Sequence, residues 1–265
     1  MTSSRERNDR NRRGGQGFHP ARGHARPDAQ DWVWGRHAVE AALANPAREP
    51  RRLIASPEQA KRLEALRPGL HADIMPAGEI GRLLPPGAVH QGAALSVPVL
   101  KPLSLEELAE QGDGVILVLD QVTDPQNVGA IFRSAAAFGA KGLVLQDRHA
   151  PQLAGALAKA AAGAIEKVPH TRVVNLSRAL DQLSDLGWRA VGLAGEADTP
   201  LAEAFDAPRT VLVLGSEGEG LRRLVGEHCD ILAKIPMPGG FESLNVAAAA
   251  AIALYEATRK SAHPL

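Results

Sequence analysis

Beyond residue 114 the chain repeats one pattern: a short apolar run, a turn, then a longer stretch whose apolar residues recur at helical spacing. Val115–Leu119 carries no polar side chain, and Gly142–Leu145, Ala190–Leu193, Thr210–Leu214 and Ile231–Ile235 are mostly apolar. Runs of this kind suit strands buried on both faces of a parallel sheet. Between them the spacing predicts helices over Asn127–Phe138, Gln152–Ala162, Leu176–Leu186, Gly220–His228 and Ser243–Arg259. The first opens after Asp124-Pro125 and closes at Gly139. Strands alternating with helices imply an α/β fold, a parallel sheet with helices on both faces. Ligands on such sheets bind beyond the carboxyl ends of the strands. Loops 120–127, 215–220 and 236–243 are therefore the places to look for chemistry.

The first third of the chain reads as a smaller α/β unit. Gly35–Leu43 and Pro57–Leu66 have helical spacing, and Arg52–Ala55, His71–Met75 and Ala93–Val99 are strand candidates, with a Pro85-Pro86-Gly87 loop before the last. A helix over Leu103–Ala109 and the breaker Gly112-Asp113-Gly114 make a linker. The expected organisation is a tail over 1–30, a small unit over 31–100, a linker over 101–114 and a larger unit over 115–265.

Composition changes this picture at the N-terminus. Residues 1–30 hold seven Arg against Glu6, Asp9 and Asp28, a balance of +4 in a chain whose net charge is zero. They have too few large apolar side chains to offset ordering entropy, which predicts a disordered basic arm. It could touch phosphates or simply solubilise the chain. Aromatic residues are only 3% of the chain, so base stacking is not the expected binding mode. Cys229 is the only cysteine, which excludes an intrachain disulfide and a cysteine-based metal site and fits a reducing cytoplasm. No metal site is expected. The longest apolar run, Val246–Leu254, is too short to span a bilayer, so no membrane partner is expected either.

Three loops carry candidate chemistry. In the first, Asn127, Gly129 and Arg133 fall in the first turns of one helix. Glycine there costs about 1 kcal/mol against alanine, which suggests a close approach by another group. Arg133 is either functional or half of a buried ion pair with Asp120 or Asp124. The second, Leu214-Gly-Ser-Glu-Gly-Glu-Gly-Leu221, is a glycine-rich strand-to-helix turn whose N–H groups can hold a ligand. It lacks both the Lys-Ser/Thr of a P-loop and the glycine spacing of a dinucleotide fingerprint. Glu217 and Glu219 disfavour a phosphate there and tolerate a cation such as a sulfonium. The alternative is an ordinary helix-entry turn. The third is Ile235-Pro-Met-Pro-Gly-Gly-Phe-Glu-Ser-Leu-Asn-Val246 and the alanines after it. Here Ser243 suits an N-cap, whereas Asn245 has no evident structural duty.

The order and separation of these loops resemble the signature motifs of the SpoU (TrmH-like) branch of SPOUT RNA methyltransferases. The matching residues are Asn127-x-Gly-Ala-x-x-Arg133-Ser-Ala, Leu214-Gly-x-Glu217-Gly-x-Gly, and Ile235-Pro-Met237 followed by Ser243-Leu-Asn245-Val-Ala. Trp34-Gly-Arg-His-Ala-Val39 and Val89-His-Gln-Gly92 are similar to the L30e-like RNA-recognition domain of bacterial 23S rRNA guanosine-2′-O-methyltransferases. The resemblance implies a C-terminal trefoil knot, which pattern alone would never suggest. It implies S-adenosyl-L-methionine as cofactor, with Leu214, Gly215, Ile235, Met237, Leu244 and Asn245 around it. It implies 23S rRNA as partner and a homodimer with the site at the interface. Ala247-Ala248 and the segment 238–242 depart from the family pattern.

The family assigns activation of the ribose 2′-hydroxyl to Arg133. A guanidinium stays protonated in proteins, so stabilising developing alkoxide charge or clamping a phosphate is the expected role. Asn127, Glu217, Ser243 and Asn245 are expected to orient it, the ribose and the cofactor. Three other readings differ in class or target: a non-catalytic RNA-binding ribosome-assembly factor of the same fold, a tRNA 2′-O-methyltransferase, and a nucleotide-dependent oxidoreductase. The last is disfavoured by the missing fingerprint.

Overall fold

The computed structural model describes residues 32–240 and 243–262. The basic arm read over 1–30, and Phe241 and Glu242 of the variant loop, lie outside the described residues.

The smaller unit is a four-stranded mixed sheet in the order β1-β4-β2-β3, made of β1 (Trp32–Trp34), β2 (Arg52–Ala55), β3 (Ala72–Ile74) and β4 (Ala93–Ser96). Its helices are α1 (Arg36–Ala44), α2 (Pro57–Leu66) and α3 (Ala77–Leu83). Proline at the first position of α2 costs nothing, because that N–H has no helical partner. Ser104 and Glu107 form a reciprocal capping box that starts α4 (Leu105–Ala109). Leu105, Leu108 and Ala109 are buried against the larger sheet, and Thr171 donates to the Leu103 carbonyl at 2.7 Å. Segment 101–114 is thus folded onto the larger unit.

The larger unit is a seven-stranded parallel sheet in the order β7-β6-β5-β10-β8-β11-β9. Its strands are β5 (Gly114–Leu119), β6 (Gly142–Gln146), β7 (His170–Val173), β8 (Arg189–Leu193), β9 (Thr199–Pro200), β10 (Arg209–Leu214) and β11 (Ile231–Lys234). The helices are α5 (Pro125–Ala137), α6 (Gly155–Ala161), α7 (Leu176–Asp185), α8 (Leu201–Ala204), α9 (Arg223–Glu227) and α10 (Val246–Ala262). Alternation along β5 divides the core: Val115, Leu117 and Leu119 join one cluster with α5, α6 and α10, while Ile116 and Val118 join another with α4, α7 and α9. The expected class, a parallel sheet covered on both faces, is the class observed.

Several boundaries differ from the sequence reading. The helix expected over Gly220–His228 is only Arg223–Glu227, because Gly220 belongs to the turn before it. The helix expected from Ser243 starts at Val246. Neither β7 nor α3 is predicted by the pattern. β7 is short and polar, and α3 contains Gly78 and Gly81, which weaken the helical signal.

The two sheets share one continuous core that runs from Val33 and Leu43 to Phe132 and Leu157. A buried ion pair crosses the junction. Arg48 reaches Glu166 at 2.7 Å with side chains 2% and 4% exposed, and Asn45 donates to the same carboxylate at 2.8 Å. Arg48 also donates to the Pro98 carbonyl. Lys159 of α6 donates to Gln91 at 2.6 Å.

Candidate active site

Parallel pairing places the carboxyl ends of β5, β8, β10 and β11 along one edge of the sheet. All three loops named above leave from that edge.

The loop after β10 is closed on itself. Ser216 N–H donates to Gly220 O at 3.1 Å and Gly220 N–H returns to Ser216 O at 3.0 Å. Gly218 and Gly220 have φ of +88° and +67°, which L side chains rarely adopt. A Cβ on Gly215 would lie 2.1 Å from the Gly220 carbonyl carbon, so the turn can fold back only with glycine at that position.

Glu217 ties the three loops together. Its Oε1 accepts from Asn127 Nδ2 at 3.0 Å, from Asn245 Nδ2 at 2.5 Å and from the Val246 N–H at 3.4 Å. Asn245 Nδ2 also donates to Asn127 Oδ1 at 3.0 Å. Meanwhile Asn245 Oδ1 accepts from the N–H groups of Ala247 and Ala248 at 3.0 and 3.3 Å. Asn245, not Ser243, is therefore the cap of α10. Its amide works in both directions: the oxygen starts a helix and the nitrogen joins the site.

Leu214, Gly215, Ile235, Met237 and Leu244 line one cleft of about 230 Å³, with Glu217 and Ser243 at its wall. Leu193, Gly195, Glu196, Leu221 and Ala249 line it too and are not singled out by the sequence. Segment 193–196 carries no motif; its position after a buried strand is the available signal. Among the described residues, Glu196, Glu217 and Glu219 are the carboxylates of the cleft and Lys234 is its one base. An apolar wall with an excess of carboxylates fits a ligand that carries apolar surface and a positive charge, and it disfavours a free phosphate.

Arg133 behaves otherwise. The ion pair considered with Asp120 or Asp124 does not form. Asp120 binds Arg222, and Asp124 caps α5 by accepting from Gln126 N–H at 3.1 Å. Arg133 is exposed on α5, outside the cleft lining, and its side chain has no hydrogen bond or ion pair among the described residues. Gly129 has a packing role instead of a ligand-facing one. A Cβ there would lie 2.5 Å from Ala160 Cβ of α6.

Among the described residues no group of three or more His, Cys, Asp or Glu could hold a metal ion, and no helix is long and apolar enough to cross a membrane.

The profile of the SpoU rRNA Methylase family matches residues 114–255. A 23S rRNA (guanosine-2′-O-)-methyltransferase RlmB from Pseudomonas aeruginosa is 40% identical over 237 residues, covering 86% of this chain and 96% of that protein. The protein of the same name from Escherichia coli K12 is 38% identical, covering 87% and 98%. Among solved structures, the SpoU methyltransferase AviRb from Streptomyces viridochromogenes superposes with a TM-score of 0.73 at 26% identity, covering 86% of this chain and 88% of AviRb.

Proposed function

The chain belongs to the SpoU rRNA methylase family, and from that premise we propose that it transfers a methyl group from S-adenosylmethionine to the ribose 2′-oxygen of a guanosine in 23S rRNA. The observation that carries the reading is the convergence of all three motif loops on one cleft, joined through Glu217, Asn127 and Asn245.

S-adenosylmethionine supplies an electrophilic methyl on a sulfonium. The residues to hold it are Leu214, Gly215, Ile235, Met237, Leu244 and Asn245. All but Asn245 line the cleft, and Asn245 acts from behind it through Glu217. The excess of carboxylates there lowers the cost of a bound cation. Asn127 and Asn245 hold Glu217 in one rotamer, so its position is set before substrate arrives. Arg133, which has no partner among the described residues, is free to take a ribose oxygen or an adjacent phosphate in its planar fork. Ser243 at the cleft wall completes the polar set.

We read the chain as a homodimer, a reading supported by an exposed stripe of α10. Ala248, Ile252, Tyr255 and Arg259 are exposed along one stripe of α10, which packs against α5, the helix of Arg133. A second copy laid on this stripe would cover Ile252 and Tyr255 and bring an Arg133 side chain into a composite site. The segment that leaves β11 and returns as α10 beside α5 is read as the trefoil knot, supported by its passage along loop 215–221 in one cleft. Residues 31–100 are read as the RNA-recognition unit, and the cytoplasm as the location.

The test has two parts. Calorimetry should show S-adenosylmethionine binding to the whole chain. Mapping of 2′-O-methyl groups in 23S rRNA, from a strain lacking this chain and from the same strain with it restored, should show one guanosine that gains its methyl only on restoration. No difference between the maps would remove the rRNA reading.

A further inference from the structure

Asp120 is wholly buried at the end of β5, outside the lining of the cleft. A buried carboxylate is costly unless its charge is met. Its partner is Arg222, the residue that follows the glycine-rich loop. Asp120 Oδ2 accepts from the Arg222 N–H at 3.0 Å, and Oδ1 accepts from Nε at 2.7 Å with Nη2 in ion-pair contact at 2.7 Å. The other end of the loop meets the same residue: Asp120 N–H donates to the Leu214 carbonyl at 2.8 Å. Both ends of loop 215–221 are therefore stapled to one side of β5.

Asp120 is itself held. The next residue, Gln121, has a left-handed φ of +58° and donates to Gln146 of the neighbouring strand at 3.2 Å. This turn carries the chain away toward α5 and leaves the Asp120 carboxylate facing the end of the glycine-rich loop. Inside the staple, the loop closes on itself through the Ser216–Gly220 pair and the packing of Gly215 on Gly220. Glycine-rich backbone has many conformations to lose, so its shape depends on what fixes its ends.

We propose that Asp120 and Arg222 are positioning residues for the cofactor loop: the pair fixes the span between Leu214 and Arg222, and so sets affinity for S-adenosylmethionine without touching it. This rests on the methyltransferase reading above. A staple of this kind acts before substrate arrives. Its loss weakens cofactor binding while leaving the rate of the loaded enzyme nearly intact. A merely structural pair would lower melting temperature and leave affinity alone.

The test uses the full chain. Calorimetry gives the Kd for S-adenosylmethionine, and methyl transfer to unmodified 23S rRNA at saturating cofactor gives kcat. Arg222→Ala is the first variant: the Arg222 side chain is 44% exposed, and although its truncation strands the buried Asp120 carboxylate and lowers the melting temperature, the double variant with Asp120→Asn removes that stranded charge. The expected result is a Kd raised about tenfold or more, with kcat within about threefold of wild type. Arg222→Lys should fall between the two, since one ammonium cannot make both the Nε hydrogen bond and the Nη2 ion-pair contact. Asp120→Asn should match Arg222→Ala, and the double variant should be no worse than either single. An unchanged Kd in Arg222→Ala, or a kcat that falls as far as affinity does, would overturn the proposal. Should Asp120→Asn not fold, the two Arg222 variants decide alone. If the wild-type chain binds no S-adenosylmethionine, the methyltransferase reading fails first and this inference with it. That outcome is distinct from a wild type that binds and variants that bind equally.

Discussion

Asn127 and Asn245 lie 118 positions apart, yet Asn245 Nδ2 donates to Asn127 Oδ1 at 3.0 Å, joining the first turn of α5 to the cap of α10. The contact closes a ring through Glu217 and makes the third motif's asparagine a helix cap and a site residue at once.

The two duties can be separated. Asn245→Asp keeps an oxygen for the Ala247 and Ala248 N–H groups, and aspartate caps helices as well as asparagine does. It removes the Nδ2 donor and sets a second carboxylate against Glu217, now 2.5 Å from that nitrogen. Thermal melting should fall only modestly, because both side chains are exposed and the repulsion is screened by solvent. Methyl transfer should fall by about thirtyfold or more, on the order of 2 kcal/mol for a lost hydrogen bond to a charged group. A variant of unchanged activity would show that the ring is structural.

Arg133→Lys should leave stability unchanged, because Arg133 is exposed and makes no ion pair among the described residues. Activity should drop by about a hundredfold or more, since a point ammonium cannot reproduce a planar fork of donors. Single-turnover methylation of unmodified 23S rRNA measures this. Near-normal turnover would leave only charge, not geometry, as the contribution of this side chain.

Glu166→Ala should be among the most destabilising single changes. It strands the Arg48 charge in a junction where that side chain is 2% exposed. Removing one partner of a buried pair costs roughly 3–5 kcal/mol. Asp73→Ala breaks the Arg52–Asp73 pair, whose side chains are 47% and 52% exposed, and should cost less than about 1 kcal/mol. Urea unfolding of the two variants side by side checks the contrast.

His170 gives the fold an acid-sensitive element. Burial, then the Arg172 and Arg48 charges, lower its pKa from 6.5 to about 4. The unfolded chain takes up this proton as pH falls below 6.5, and the native chain does so only near 4. Stability from the neutral ring is therefore whole above pH 6.5 and is lost progressively between pH 6.5 and 4, by roughly 3 kcal/mol. His170→Gln should flatten this part of the stability profile. An unaltered slope across that window would assign it to other groups.

Sequence legibility follows burial and length. Val115–Leu119 is readable because a strand covered on both faces needs apolar residues at every position. His170–Val173 is not, because an edge strand of four residues with His, Thr and Arg has no such pattern. Trp32–Trp34 is too short for any period to show. At the site, Glu217 and Gly215 are legible from the glycine-rich turn and its resemblance to the family motif, but the capping duty of Asn245 is not. It depends on where α10 begins, and an alanine run carries no start signal of its own. Gly129 does mark a close approach, as its place in a helix suggests, but its neighbour is α6 and not a ligand.

The shared core between the two sheets has one more consequence. A buried ion pair and a continuous apolar layer join the two sheets, so moving the small sheet relative to the cleft would have to break both. The molecule then works as a caliper with locked jaws. If the smaller sheet is the RNA-recognition unit proposed above, an RNA that touches both must present its target ribose at the matching distance.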